Sequence, residues 1–150
     1  MTRLCNLITL SIFLAFSSAS ISTAKEPLTY LNGFPVFQNY ETFRAYLDPL
    51  IKKRQVVKFL DQFGGNARYT KPQALQIEEQ IRGLRKVDMQ HVEVIRTEDL
   101  SDNWTQEMLA YWTGADYIFL YVLYQNRDEG LFAINVTFNT DIKPLLQLMM

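Results

Sequence analysis

Residues 115–125 read ADYIFLYVLYQ, 126–130 read NRDEG, and 131–139 read LFAINVTFN. The first and third stretches are rich in aromatic and β-branched residues, which suit a pleated, half-buried surface. The polar five between them read as a turn, so the three stretches predict a β-hairpin. Working backwards, MQHVEVIR at 89–96 alternates with a period of two and adds a strand with Val92 and Val94 on one face. The expected core face of this sheet is Val92, Val94, Ile118, Leu120, Val122, Phe132, Ile134, Val136 and Phe138.

Before residue 89 the period is 3.6. YETFRAYL at 40–47 places Tyr40, Phe43 and Leu47 on one helical side, and Asp48-Pro49 reads as a cap and restart. Val56, Phe59, Leu60 and Phe63 then recur at i, i+3, i+4 and i+7. Gly64-Gly65 stops that helix. A further helix is expected over about 71–85, capped by Thr70 and burying Ala74, Ile77, Ile81 and Leu84. Residues 25–39 are punctuated by Pro27, Asn32-Gly33 and Pro35 and read as a loop-like arm packed on the domain. SDNWTQEMLAYWTG at 101–114 is read as a short helix, with a strand from Glu107 to Thr113 as the alternative.

Helices followed by strands give an α+β domain over residues 40–150, with N-terminal helices packed on a C-terminal antiparallel sheet of three to four strands. Over about residues 40–145 this order resembles the nuclear-transport-factor-2-like superfamily, cone-shaped domains with helices on a curved sheet. The cystatin-like group, with a helix on an antiparallel sheet, is similar too. The first resemblance implies a pocket for acid/base chemistry as in an isomerase or dehydratase, with His91, Tyr117 or Asp116 serving.

The N-terminus reads as an export leader over residues 1–24. Arg3 precedes the apolar run 4–16, and small residues lead to a cut after Ala24. The apolar run is shorter than the ~20 residues a membrane span needs. Cys5, the only cysteine, leaves with the leader, so neither a disulfide nor a thiol nucleophile is expected in the exported domain. The formal net charge is −1, unlike the basic profile of a nucleic-acid binder. Lys52-Lys53-Arg54 reads as a solvated helix face. The sequons at Asn103 and Asn135 are read as chance.

No catalytic motif emerges. There is no Gly-x-Ser-x-Gly elbow and no phosphate loop, and no metal-ligand spacing surrounds the lone His91. No metal or cofactor is expected. What stands out is the sheet face opposite the core. Alternation puts Tyr117, Phe119 and Tyr121 there, joined by His91, Glu93, Asn135 and Thr137. Aromatic bodies with polar handles suit a ligand pocket or a protein interface, unless residues 25–39 or the 101–114 segment cover them. The sequence therefore points to a periplasmic or secreted binding module for a protein partner, a second copy of itself or an apolar ligand. An exported antagonist or structural role is a further alternative.

Overall fold

The computed structural model describes residues 29–63 and 69–149. The leader-like segment, Cys5 and the Gly64-Gly65 stop lie outside them. The hairpin that opens the sequence reading is present as β5 (Asp116–Arg127) and β6 (Gly130–Asn139), joined by a tight turn at Asp128-Glu129. Two further strands, β3 (His91–Ser101) and β4 (Trp104–Thr113), complete an antiparallel meander. Segment 101–114 is thus a strand in a hairpin, and the helix expected there is corrected. Asp102-Asn103 and Gly114-Ala115 are the turns at its ends, and Gly114 has φ 57°. Such positive φ costs glycine little.

The loop-like reading of 25–39 is corrected as well from residue 29 on, residues 25–28 lying outside the described ones. β1 (Thr29–Leu31) and β2 (Phe34–Phe37) form a hairpin around Asn32 and Gly33, with φ of 51° and 83°. That is the left-handed pair a two-residue hairpin turn requires. β2 then pairs with β6, so the sheet order is β1-β2-β6-β5-β4-β3. The architecture among the described residues is α+β, with four helices and one six-stranded antiparallel sheet. The expectation of three to four strands, all following the helices, is overturned by the extra hairpin before the first helix, which brings the sheet to six. Gly130 makes the β2 junction possible: its φ is 133°, and a Cβ there would collide with the Phe37 carbonyl.

Helix α1 (Tyr40–Lys52) starts at Asn39, whose Oδ1 accepts from Thr42 N at 2.9 Å while Thr42 Oγ1 accepts from Asn39 N at 3.1 Å. This reciprocal cap satisfies two free donors. The helix runs through Pro49 without a restart. It ends where Arg54, at φ 54°, lets Arg54 N bond Ile51 O and Gln55 N bond Leu50 O, a Schellman ending usually built on glycine. The Arg54 side chain holds it there by donating to the Arg85 carbonyl and pairing with Asp88. Arg54 is buried, which corrects its reading as part of a solvated face. Next come α2 (Val56–Phe63) and α3 (Lys71–Leu84). In α3 Ala74 and Ile81 are buried, whereas Leu84 is 68 % exposed and lies outside the stripe expected to bury it.

The three long helices cover one sheet face. Phe43, Leu47, Ile51, Phe59 and Ile81 meet Leu109, Tyr111, Leu120, Val122 and Val136 in the main core. A β-bulge between Leu123 and Tyr124 shifts the β5–β6 register. Leu131 and Ala133 therefore take the core positions expected of Phe132 and Ile134, because one extra residue reverses the facing of the strand beyond it. On the opposite face, α4 (Lys143–Leu146) and a 3₁₀ turn (Gln147–Met149) seat Leu145 and Met149 against Met108 and Tyr121.

Candidate functional site

The sheet face away from the main core carries the expected binding residues, and the register shows how they are grouped. His91, Trp112 and Tyr117 are direct cross-strand partners on β3, β4 and β5. Their rings stack, with centroids 5.2 Å apart at 27° for His91–Trp112 and 6.4 Å apart at 24° for Trp112–Tyr117. Phe119, two residues along β5, continues the row at 5.6 Å and 3° from Tyr117. Trp112 is the member that sequence reading missed. Its signal is the pair of turns bracketing 104–113, which makes the segment a strand and so puts Trp112 beside His91.

The remaining expected residues separate from this row. Tyr121 is only 5 % exposed, lies beneath Leu145 and Met149, and donates to Gln106 Oε1 at 3.2 Å. Thr137 pairs with Tyr121 and Asn135 with Leu123, and Thr137 Oγ1 donates to Asn135 Oδ1 at 3.1 Å. Glu93 is exposed on the same face as His91. The structure thus divides the expected site into an aromatic row, a Tyr121 covered by the C-terminal turns, an exposed Glu93, and Asn135 and Thr137 on the β6 side of a cleft. The cover is residues 143–149, not 25–39 or 101–114.

The helix-facing side holds a buried polar cluster that sequence reading did not find. Tyr40, Arg44 and Asp48 recur every four residues along α1, and they meet Glu107 and Tyr111 of β4 and Tyr124 of β5. Tyr40 Oη donates to Glu107 Oε2 at 2.7 Å, and Arg44 Nη1 donates to Tyr40 Oη at 2.8 Å. Arg44 also grips Asp48 through Nε at 2.8 Å and Nη2 at 3.1 Å, a bidentate, charge-assisted pair. Tyr111 Oη donates to Asp48 Oδ1 at 2.8 Å, and Tyr124 Oη reaches Glu107 Oε1 at 3.4 Å.

Burial governs the ionisation of this cluster. It raises the Glu107 carboxyl above its ordinary range, with the Tyr40 hydrogen bond and Arg44 pulling partly the other way. Burial, then the bond to Glu107, pushes Tyr40 up to about 12. Tyr111 and Tyr124 are raised for the same leading reason. Burial works against the charge of Arg44, but Asp48 and the neighbouring phenols outweigh it and raise the guanidinium. The polar groups satisfy one another and tie α1 to the sheet.

The residues proposed for acid/base chemistry do not converge. The His91 side chain is stacked on Trp112 and makes no hydrogen bond or ion pair among the described residues. The Asp116 carboxylate lies 3.3 Å from Arg85 Nη1, not against His91. Among the described residues no three His, Cys, Asp or Glu side chains converge as a metal-binding group, and no helix is long and apolar enough to cross a membrane. A cleft of about 430 Å³ opens elsewhere, between the β1–β2 turn, α2 and β6. No family model matches the chain, and neither a curated protein nor a solved structure does.

Proposed function

We propose that this chain is a non-catalytic binding module that holds a protein partner against the row His91–Trp112–Tyr117–Phe119. The leader-like residues 1–24 support placing it outside the cytoplasm. The observation that carries the reading is the row itself: four stacked rings cross three strands, Phe119 packs against the C-terminal cover, and Tyr117 is 39 % exposed. Stacking consumes most of the ring faces. The row therefore offers ring edges, not the flat faces on which a sugar or a nucleobase stacks. Edges carrying positive quadrupole character suit the carbonyls, aromatic faces and aliphatic side chains of a protein surface.

The test is photo-crosslinking in the source cell, with benzoylphenylalanine in place of Tyr117 and, as control, in place of Glu129 at the far turn. A discrete adduct at 117 that is lost on Trp112→Ala, and is absent at 129, supports the reading. No adduct, or the same adducts from both positions, overturns it. Tyr121, buried as it is, is unsuitable as a probe of this surface.

A further inference from the structure

We infer that the open edge of β6 is a second binding site, one that takes an extended, uncharged peptide segment as an added strand. β2 pairs with β6 at only two positions, Val36↔Phe132 and Phe37↔Leu131. At Asn32-Gly33 the chain turns back into β1 instead of continuing along β6. Among the described residues no strand borders β6 from Ala133 to Asn139 on that side. A strand placed there would lie end to end with β2 and antiparallel to β6.

Two observations identify the occupant. The first is the absence of guarding. Natural sheets blunt a free edge with charge, proline or bulges. The outer strand β3 does so, with Glu93, Arg96 and Glu98 and two register shifts. The free β6 stretch, AINVTFN, has neither a charge nor a proline; its one irregularity is the bulge at Ile134, and the register from Asn135 to Asn139 is regular. An edge left unguarded presents backbone donors and acceptors, which another extended backbone recognises.

The second observation is the cleft beside it. Its volume of about 430 Å³ falls within the range of ligand sites. Phe34 and Pro35 border it from the hairpin, Phe59 and Phe63 from α2, Phe138 from β6, and Tyr69 from the segment before α3. Among the described residues no Asp, Glu, Lys or Arg lines it, although 21 % of the chain is charged. Strand side chains alternate between faces. Every second residue of an added strand would therefore enter this uncharged cleft and is expected to be apolar or small and uncharged.

The experiment pans displayed random nonapeptides against the whole chain. It then measures the enriched sequence, made as a capped fluorescein conjugate, by anisotropy. We expect uncharged alternate positions in the selected peptides. Methylating the backbone nitrogens along one edge of the peptide should weaken binding at least tenfold, while methylating the other edge should not. Tyr69→Glu, a substitution at a 51 % exposed side chain, should weaken binding at least tenfold by placing a carboxylate at the cleft. Amide exchange in Ala133–Asn139 should slow at least tenfold when the peptide is added. Failure to enrich any sequence overturns the inference. So does equal binding of both methylated peptides, which would mark the cleft as a site for an apolar molecule. Full protection of the β6 edge amides before any peptide is added also overturns it.

Discussion

Glu107 gives the sharpest test of how this domain is held together. Its carboxylate accepts a short bond from Tyr40 at 2.7 Å and a long one from Tyr124 at 3.4 Å, and the residue is only 5 % exposed. Replacing it with alanine orphans the Tyr40 donor and leaves a void between α1 and β4. An unsatisfied buried polar group costs about 1–3 kcal/mol. The long Tyr124 contact adds little. Glu107→Ala is therefore expected to cost about 3 kcal/mol, and Glu107→Gln, which keeps an acceptor for Tyr40, about 1 kcal/mol. The pH dependence separates this account from a generic loss of packing. Burial raises the folded-state carboxyl above its ordinary 4.5, so the folded protein holds this proton more tightly than the unfolded chain does. Stability contributed by the neutral form is complete below the ordinary value and is lost as pH rises through the raised one. Glu107→Gln cannot ionise and has no such loss. Urea unfolding of both proteins from about pH 4 to about pH 8 should show the wild-type advantage shrinking as pH rises. An advantage that stays flat or grows would mean that Arg44 and Tyr40 stabilise the ionised carboxylate, and the burial argument would fail.

Alkali should act on the same cluster. Tyr40, Tyr111 and Tyr124 are all raised by burial, so stability present below pH 10 is lost as pH climbs toward the Tyr40 value of about 12. Phenolate absorbance should show a late phase that coincides with unfolding, and one phase complete before unfolding would contradict this. Gly130→Ala combines a left-handed φ with a clash against the Phe37 carbonyl. It should cost about 3 kcal/mol or more and release β2 from β6, seen as faster amide exchange in 34–37. Leu145→Ala should cost about 2 kcal/mol because Leu145 is 2 % exposed against Tyr121 and Met108. Leu146→Ala, at 41 % exposure, should fall within about 0.5 kcal/mol. Equal costs for the two leucines in thermal unfolding would show that the C-terminal turns are not seated as described.

The parts of the fold that were legible are those in which local pattern and burial agree. β5 and β6 combine β-branched and aromatic residues with a polar turn, and α2 carries an uninterrupted apolar stripe. β4 was legible only as the alternative to a helix, for a physical reason. Both its faces are buried, so it lacks the alternation of a half-exposed strand, and it carries three polar residues, Thr105, Gln106 and Glu107, at buried positions. They are tolerated inside because partners on the neighbouring strands and on α1 meet them: Asp99 for Thr105, Glu98 and Tyr121 for Gln106, Tyr40 and Tyr124 for Glu107. The facing of Tyr117, Phe119 and Tyr121 could be read from alternation alone. That Tyr121 is covered and Tyr117 is not depends on where residues 143–149 come to rest, which no local pattern encodes. The bulge at Leu123/Tyr124 is likewise silent in sequence, and it exchanged Phe132 and Ile134 for Leu131 and Ala133 in the core.

The two sheet faces differ in what they leave unsatisfied. On the helix side, donors and acceptors are consumed by one another: Arg44 is spent on Asp48 and Tyr40, Glu107 on two phenols, and Asp48 on Tyr111 as well. A reacting group needs a hydrogen-bond position left for substrate, and this cluster fills its own. On the other side the C-terminal turns bury Tyr121 and pack against Phe119, while His91 and Tyr117 stay exposed. Apolar rings left at the surface retain a free energy of burial that no part of the described chain satisfies. A partner that covers them gains that term without disturbing the polar tie beneath. The Trp112→Ala crosslinking comparison therefore bears on function, whereas the Glu107 series bears on stability. A chain in which Glu107→Gln abolished the Tyr117 adduct while remaining folded would couple the two faces and break this division.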